Sequence, residues 1–233
     1  MVLFKKSLLT LLALLSVAVS LTWFVNDSKS NYWIWGWDDL DYISSDSSLI
    51  IYQGDYHLPG ESNYFIYRGI NATESLKNHR ISLLFRVYSL KNPDDIIEII
   101  NTIISKWEYK GVEVSGIQLD YDSPSSGLHE YAKFVSVLHE YTRIQNIELS
   151  VTGLVTWLLD NDDGAKELSR HVEYIVYQLY NNYRPLDNVE KYFSSIQSIS
   201  YPYMIGITTS EKFHNLGFPK NALYKGKIVF LNK

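Results

Sequence analysis

The chain has 233 residues, of which 46% are hydrophobic and 20% charged, with a formal net charge of −5. That balance suits one globular domain with a sizeable core, and an acidic chain without a basic patch argues against nucleic acid or anionic lipid as a partner. The lack of Cys excludes disulfides, thiolate metal sites, cysteine nucleophiles and acylation as a lipoprotein.

The first residues read as an export signal. Lys5 and Lys6 precede an apolar run from Leu8 to Val19, and Ala18-Val19-Ser20 offers the small residues a signal peptidase needs. A cleaved signal would span residues 1–20. The apolar run continues through Leu21-Thr22-Trp23-Phe24-Val25, so residues 7–25 also suit an anchor in the inner membrane. Both alternatives export the remainder, residues 31–233, which is expected in the periplasm or anchored facing it.

In that remainder, short β-like runs alternate with helical patterns. Tyr32–Trp37 (YWIWGW) is the first predicted strand, Ser48–Gln53 (SLIIYQ) the second and Ile81–Tyr88 (ISLLFRVY) the third. Tyr64–Tyr67 is an extra strand or half of a hairpin. A helix is expected over Pro93–Trp107, where Ile96, Ile99, Ile100, Ile103, Ile104 and Trp107 fall at helical spacing. Its Pro start and the acids Asp94 and Asp95 in the first turn favour that helix's N-terminus. The fourth strand ends in Gly116–Pro124 (GIQLDYDSP), followed by a helix with Leu128, Tyr131, Phe134, Val135, Leu138 and Tyr141 on one face. Ile147–Leu154, Glu173–Tyr180, Pro202–Thr208 and Lys227–Leu231 complete the strands, with short helices over Ala165–Arg170 and Asn188–Ile199. Strand–helix alternation predicts an α/β fold with parallel strands. Eight strands in so short a chain point to a compact (β/α)8 barrel with trimmed helices. An open doubly wound sheet is the alternative, although no GxGxxG or Walker pattern accompanies it.

The fourth strand carries the chemistry. A period of two turns Gln118, Asp120 and Asp122 to one side and Ile117, Leu119 and Tyr121 to the other. In a barrel the first set faces the lumen and its C-terminal mouth, where barrel enzymes keep their sites. Two carboxylates so close do not ionise independently, so one retains its proton and can act as a general acid. Such a pair suits acetal hydrolysis. The structural alternative has Asp122 capping the next turn and Asp120 paired with Arg86. Other strand ends add polar and aromatic groups at the same rim. Arg86 comes from the third strand, Gln178 and Tyr180 from the sixth, Trp35 and Trp37 from the first, and Trp157 follows the fifth. Rings with polar groups between them are how proteins hold sugars. The catalytic candidates are therefore Asp120 and Asp122. The substrate-binding candidates are Trp35, Trp37, Arg86, Gln118, Tyr121, Trp157, Gln178 and Tyr180.

The fourth strand resembles the signature DGxDxDxExP of chitinase-like glycoside hydrolases of family eighteen. Gly116 and Pro124 match and Asp120 falls on an acid, but Asp122 stands in the place of the catalytic Glu and Gln118 in that of an earlier Asp. Asp is one methylene shorter than Glu, which sets a proton donor about 1.5 Å further back. A closer resemblance is to a bacterial family of exported, glycosidase-like barrels described as a domain of unknown function. It rests on YWIWGW in the first strand, GIQLDYD in the fourth and VTGLVTWLLD in the fifth, and spans residues 32 to about 182. The resemblance implies a barrel in the cell envelope and names no substrate.

The expected partner is a carbohydrate or glycoconjugate, with no metal or cofactor implied, and a non-catalytic binding barrel is the alternative to an enzyme. The motifs beginning at His129 and His139 lack the second His of a zinc protease. Asp160–Gly164 lacks a bidentate Glu for Ca2+ and reads as a solvated turn.

Overall fold

The computed structural model describes residues 31–44, 47–57, 64–160, 162–213, 217–219 and 221–231. The predicted signal or anchor lies outside them. In chain order the strands are β1 (Asn31–Ile34), β2 (Ser48–His57), β3 (Tyr64–Tyr67), β4 (Arg80–Val87), β5 (Val114–Asp120), β6 (Glu148–Leu154), β7 (Tyr174–Gln178), β8 (Tyr180–Asn181), β9 (Arg184–Pro185), β10 (Tyr203–Thr208) and β11 (Tyr224–Phe230). The helices are α1 (Pro93–Tyr109), α2 (Leu128–Gln145), α3 (Trp157–Asp160), α4 (Asp162–Leu168) and α5 (Phe193–Gln197).

Eight of the strands pair in parallel in the order β1-β2-β4-β5-β6-β7-β10-β11, and β1 pairs with both β2 and β11. Asn31 lies opposite Ser48 on one side and Ile228 on the other. That double pairing leaves no edge and closes a (β/α)8 barrel. An open sheet is thereby ruled out.

Helices are present where the apolar spacing called for them and are replaced by single turns elsewhere. α1 starts at Pro93 with Asp94 and Asp95 in its first turn, and buries Ile96, Ile100, Ile103, Ile104 and Trp107. The Trp107 indole donates to the Gln53 side chain at 3.1 Å, tying the helix to the outer face of β2. α2 buries Leu128, Tyr131, Phe134, Val135 and Leu138 over β5 and β6. Among the described residues, the segments after β1, β2 and β10 hold short 3-10 turns or the added strand β3, which pairs antiparallel with β2. The expected helix at 188–199 is a 3-10 turn over Val189–Tyr192 followed by the short α5.

The wall separates two apolar cores. The larger packs strand residues such as Leu83, Phe85, Ile117 and Leu119 against the helices. The smaller fills the lumen with Trp33, Ile50, Tyr52, Leu84, Val176, Met204, Ile228 and Phe230. Alternation along each strand assigns residues to one or the other. Gly206 of β10 makes room for the largest lumen ring: a Cβ there would stand 2.6 Å from Cη2 of Trp33. Gly206→Ala is expected to cost about 1–3 kcal/mol through overpacking, read as a lower denaturant midpoint, and an unchanged midpoint would contradict the tight lumen.

Candidate functional site at the barrel mouth

At the C-terminal ends of the strands lies a cleft of about 740 Å³. Asp120, Tyr121, Asp122, Arg86, Trp35, Gln178 and Tyr180 all line it, so seven of the sequence-derived candidates come together. Alternation on β5 accounts for the acids. Ile117 and Leu119 join the outer core, Gln118 is fully buried on the lumen side, and Asp120 and Asp122 emerge above it.

Asp120 is held from two neighbouring strands. Thr152 Oγ1 of β6 donates to its Oδ1 at 2.7 Å, and Arg86 Nε of β4 lies 3.4 Å from its Oδ2. Arg86 is itself clamped. Its guanidinium carbon sits 4.7 Å from the Trp35 ring centroid and 5.6 Å from that of Tyr52, and its Nη1 donates to the Tyr88 hydroxyl at 3.3 Å. Partial burial works against its charge, but the Tyr88 hydroxyl and the Asp120 carboxylate more than compensate and raise its pKa.

Asp122 stands at the mouth with no such clamp among the described residues. Partial desolvation by the cleft wall raises its pKa, the nearby charge of Asp120 adds to the rise, and Arg86 opposes it. The two carboxyls therefore differ in kind: Asp120 is anchored by a cation and a hydroxyl, whereas Asp122 is biased towards its protonated form. Tyr180 keeps its phenolic proton as well, because burial and the Asp120 charge both resist its ionisation.

Three candidates take other places. Gln118 forms the floor, accepting from the Trp33 indole at 2.6 Å and donating to Ser150 Oγ at 3.1 Å. Trp157 is fully buried outside the wall and donates its indole N–H to the Ser123 carbonyl at 2.8 Å, which fixes the residue after Asp122. Trp37 is exposed in the turn after β1 and is absent from the cleft lining. Tyr121 touches the cleft, but its ring packs against Tyr131 in the outer core.

Residues 86–214 match the domain of unknown function DUF3142, a span that begins at the clamped Arg86 and includes both acids. The chain belongs to that family. Solved structures similar to it include the C-terminal domain of a putative chitinase from Desulfitobacterium hafniense, at 13% identity and a TM-score of 0.51, covering 78% of this chain and 67% of that one. A chitinase from Ipomoea carnea gives 14% and 0.51 over 88% and 94%. A xylanase-A-amylase inhibitor protein gives 13% and 0.59 over 88% and 93%. At such identities the likeness is one of fold, a chitinase-like barrel. A comparison with curated proteins finds no match.

In this DUF3142 barrel, several groups at the mouth escape a reading by alternation. β2 runs four residues beyond its predicted end through a bulge between Tyr52 and Gly54, which resets the alternation and turns Asp55 inward. Only Gly fits at position 54, since a Cβ would stand 2.2 Å from the Ile66 carbonyl oxygen. Asp55 is buried, pairs with Arg68 at 2.9 Å and accepts from the Tyr52 hydroxyl at 2.5 Å. The Tyr52 ring then supports Trp35, with centroids 4.1 Å apart. Thr152 faces the lumen by the same alternation along the fifth strand, but its pairing with Asp120 is not written in either segment.

Desolvation and the Asp120 charge set the pH response of Asp122. Its folded pKa lies above the unfolded value of about 3.9, so its stabilising contribution is complete below that pH and lost as pH rises through the folded value. Asp122→Asn is expected to raise the melting temperature at pH 7, with the gain fading towards pH 4 and below. Asp120→Asn should instead lower stability at pH 7 by about 1–2 kcal/mol, since it leaves Arg86 without its carboxylate. Thermal melts across this range check both signs.

Proposed function

We propose that this protein acts on a polysaccharide or glycoconjugate as a glycoside hydrolase, with Asp122 as proton donor and Asp120 as the ionised partner. The observation that carries the reading is the unequal pair: one carboxylate clamped by Arg86 and Thr152, the other with a raised pKa, both lining one cleft. Glycosidic cleavage needs those two forms at once. The proton of Asp122 passes to the bridging oxygen as its bond to the anomeric carbon breaks. The charge of Asp120 stabilises the cationic ring, and water adds to that carbon while its proton returns to Asp122. Trp35, fixed between Tyr52, Phe230 and Arg86, adds aromatic surface to the cleft wall. Gln178 and Tyr180 supply hydroxyl partners.

A second reading is a non-catalytic glycan- or protein-binding barrel. The shorter Asp at the donor position favours it, and one fold neighbour is described as an inhibitor protein. Activity separates the two. In a screen of glycan substrates, Asp122→Asn and Asp120→Asn are expected to lose at least about 100-fold in rate while remaining folded. Activity should fall on the alkaline side as Asp122 gives up its proton. Folded variants with full rate would remove both acids from the mechanism.

The same reading has the barrel working outside the cytoplasm, released from or held by its first residues. The basis is the basic start and apolar run at Lys5–Val19. Residues 1–30 fused to a reporter active only after export should yield activity, and a silent fusion would contradict it.

A further inference from the structure

Two aromatic features at the mouth carry ring faces that neither the acid pair nor the floor uses. The first is in the short hairpin of β8 and β9. Its two turn residues, Asn182 and Tyr183, have φ of 44° and 67°, the left-handed pair of a type I′ turn. The second position of such a turn favours Gly, and a bulky side chain there costs stability. Tyr183 nevertheless occupies it. Its ring lies over Phe230, with centroids 5.0 Å apart, and it lines the cleft while remaining 53% exposed. A strained and exposed aromatic residue at a cleft is an outlier that asks for a function.

The second feature is a stack after β4. The Tyr88 ring lies against His57, with centroids 4.3 Å apart and planes 7° from parallel, and His57 lies in turn against Tyr64 at 5.1 Å and 9°. Tyr88 also lines the cleft and is 52% exposed. Stacking on one face and the bond from Arg86 Nη1 to its hydroxyl hold the ring in place, so little ordering entropy remains for a ligand to overcome.

The barrel order sets these features apart. Tyr88 follows the third strand of the ring. Tyr183 hangs from the sixth and lies over the eighth, and each of those is three strands from the third. Asp120 and Asp122 rise from the fourth. An eight-stranded barrel measures roughly 15 Å across its backbone, a gap that a disaccharide at the acid pair does not fill and that several linked sugars do.

We propose that Tyr88 and Tyr183 are sugar platforms on opposite sides of the mouth, so that the cleft holds an internal stretch of a glycan chain rather than a chain end. The proposal rests on the glycan reading above and extends it from the acid pair to the length of substrate. Each platform takes a ring by its apolar face, and the strain at Tyr183 is retained because Gly, the comfortable residue, provides no face.

The test is binding of chitohexaose and chitobiose, oligomers of the sugar polymer implied by the names of the neighbouring folds, measured calorimetrically with the full chain. Wild-type protein should bind the hexamer at least tenfold more tightly than the dimer. Tyr183→Gly and Tyr88→Ala should each weaken the hexamer by about 2–12-fold, the worth of one ring contact, and change the dimer less than twofold. Tyr183→Phe should restore hexamer binding, since the face and not the hydroxyl is used. Thermal melts of each variant establish that it is folded, and Gly is tolerated at a left-handed position.

Equal affinity for both lengths in the wild type would overturn the proposal, as would folded Tyr variants that bind the hexamer normally. If those variants are indifferent while Asp120→Asn alters binding, the platforms fail and the glycan reading stands. If neither oligomer binds, the platform proposal falls, and the glycan reading is judged by the substrate screen.

Discussion

The hydrogen bond between the Trp33 indole and Gln118 is the constraint on which the mouth depends. It joins the first and fourth strands of the ring through the lumen at 2.6 Å, with both side chains buried. A buried amide left unpaired would cost about 1–3 kcal/mol, so Gln118 is committed to its two partners and cannot also reach a ligand. It closes the barrel's interior with a polar pair surrounded by apolar side chains, and everything above it on β5 is thereby turned towards solvent at one fixed height. Gly206 belongs to the same arrangement, since only a bare backbone leaves space for the indole that makes the bond.

Above that floor, asymmetry between two like residues is produced by their neighbours. Asp120 ends a strand flanked by β4 and β6, and each flank contributes one side chain, Arg86 and Thr152, at hydrogen-bonding height. Asp122 lies past the last paired residue, without a clamp of that kind among the described residues. One step of strand alternation thus separates a carboxylate with two partners from one whose proton is favoured by desolvation and by the first carboxylate's charge. Trp157 contributes from outside the wall by gripping the Ser123 carbonyl, so the short loop bearing Asp122 is fixed without any polar group entering the cleft.

Aromatic residues, abundant in this chain, divide by depth. Trp33, Tyr52 and Phe230 are buried lumen filling, Trp35 sits partly buried above them, and Tyr88 and Tyr183 are exposed at the edge. The same chemistry serves packing below and a wet, ring-lined rim above, because such rings combine an apolar body with a polar tip. Arg86 belongs to both layers, resting on the faces of Trp35 and Tyr52 while facing Asp120.

The eight wall strands, the positions of α1 and α2, and the inward direction of Gln118, Asp120 and Asp122 are all legible in the chain's local patterning. Each of these follows from a local period, 2 for strands and 3.6 for helices, that a short window carries in full. Which groups meet depends on how the barrel closes. The bulge at Gly54 breaks the period and brings Asp55 inward, closure sets Trp33 across from Gln118, and the positive φ of Asn182 and Tyr183 turns a ring back over Phe230. Trp157, placed at the rim by its position after a strand, is buried behind the wall because α3 turns it towards Ser123. Depth, register and partner identity arise from residues far apart in the chain, and no local period encodes them.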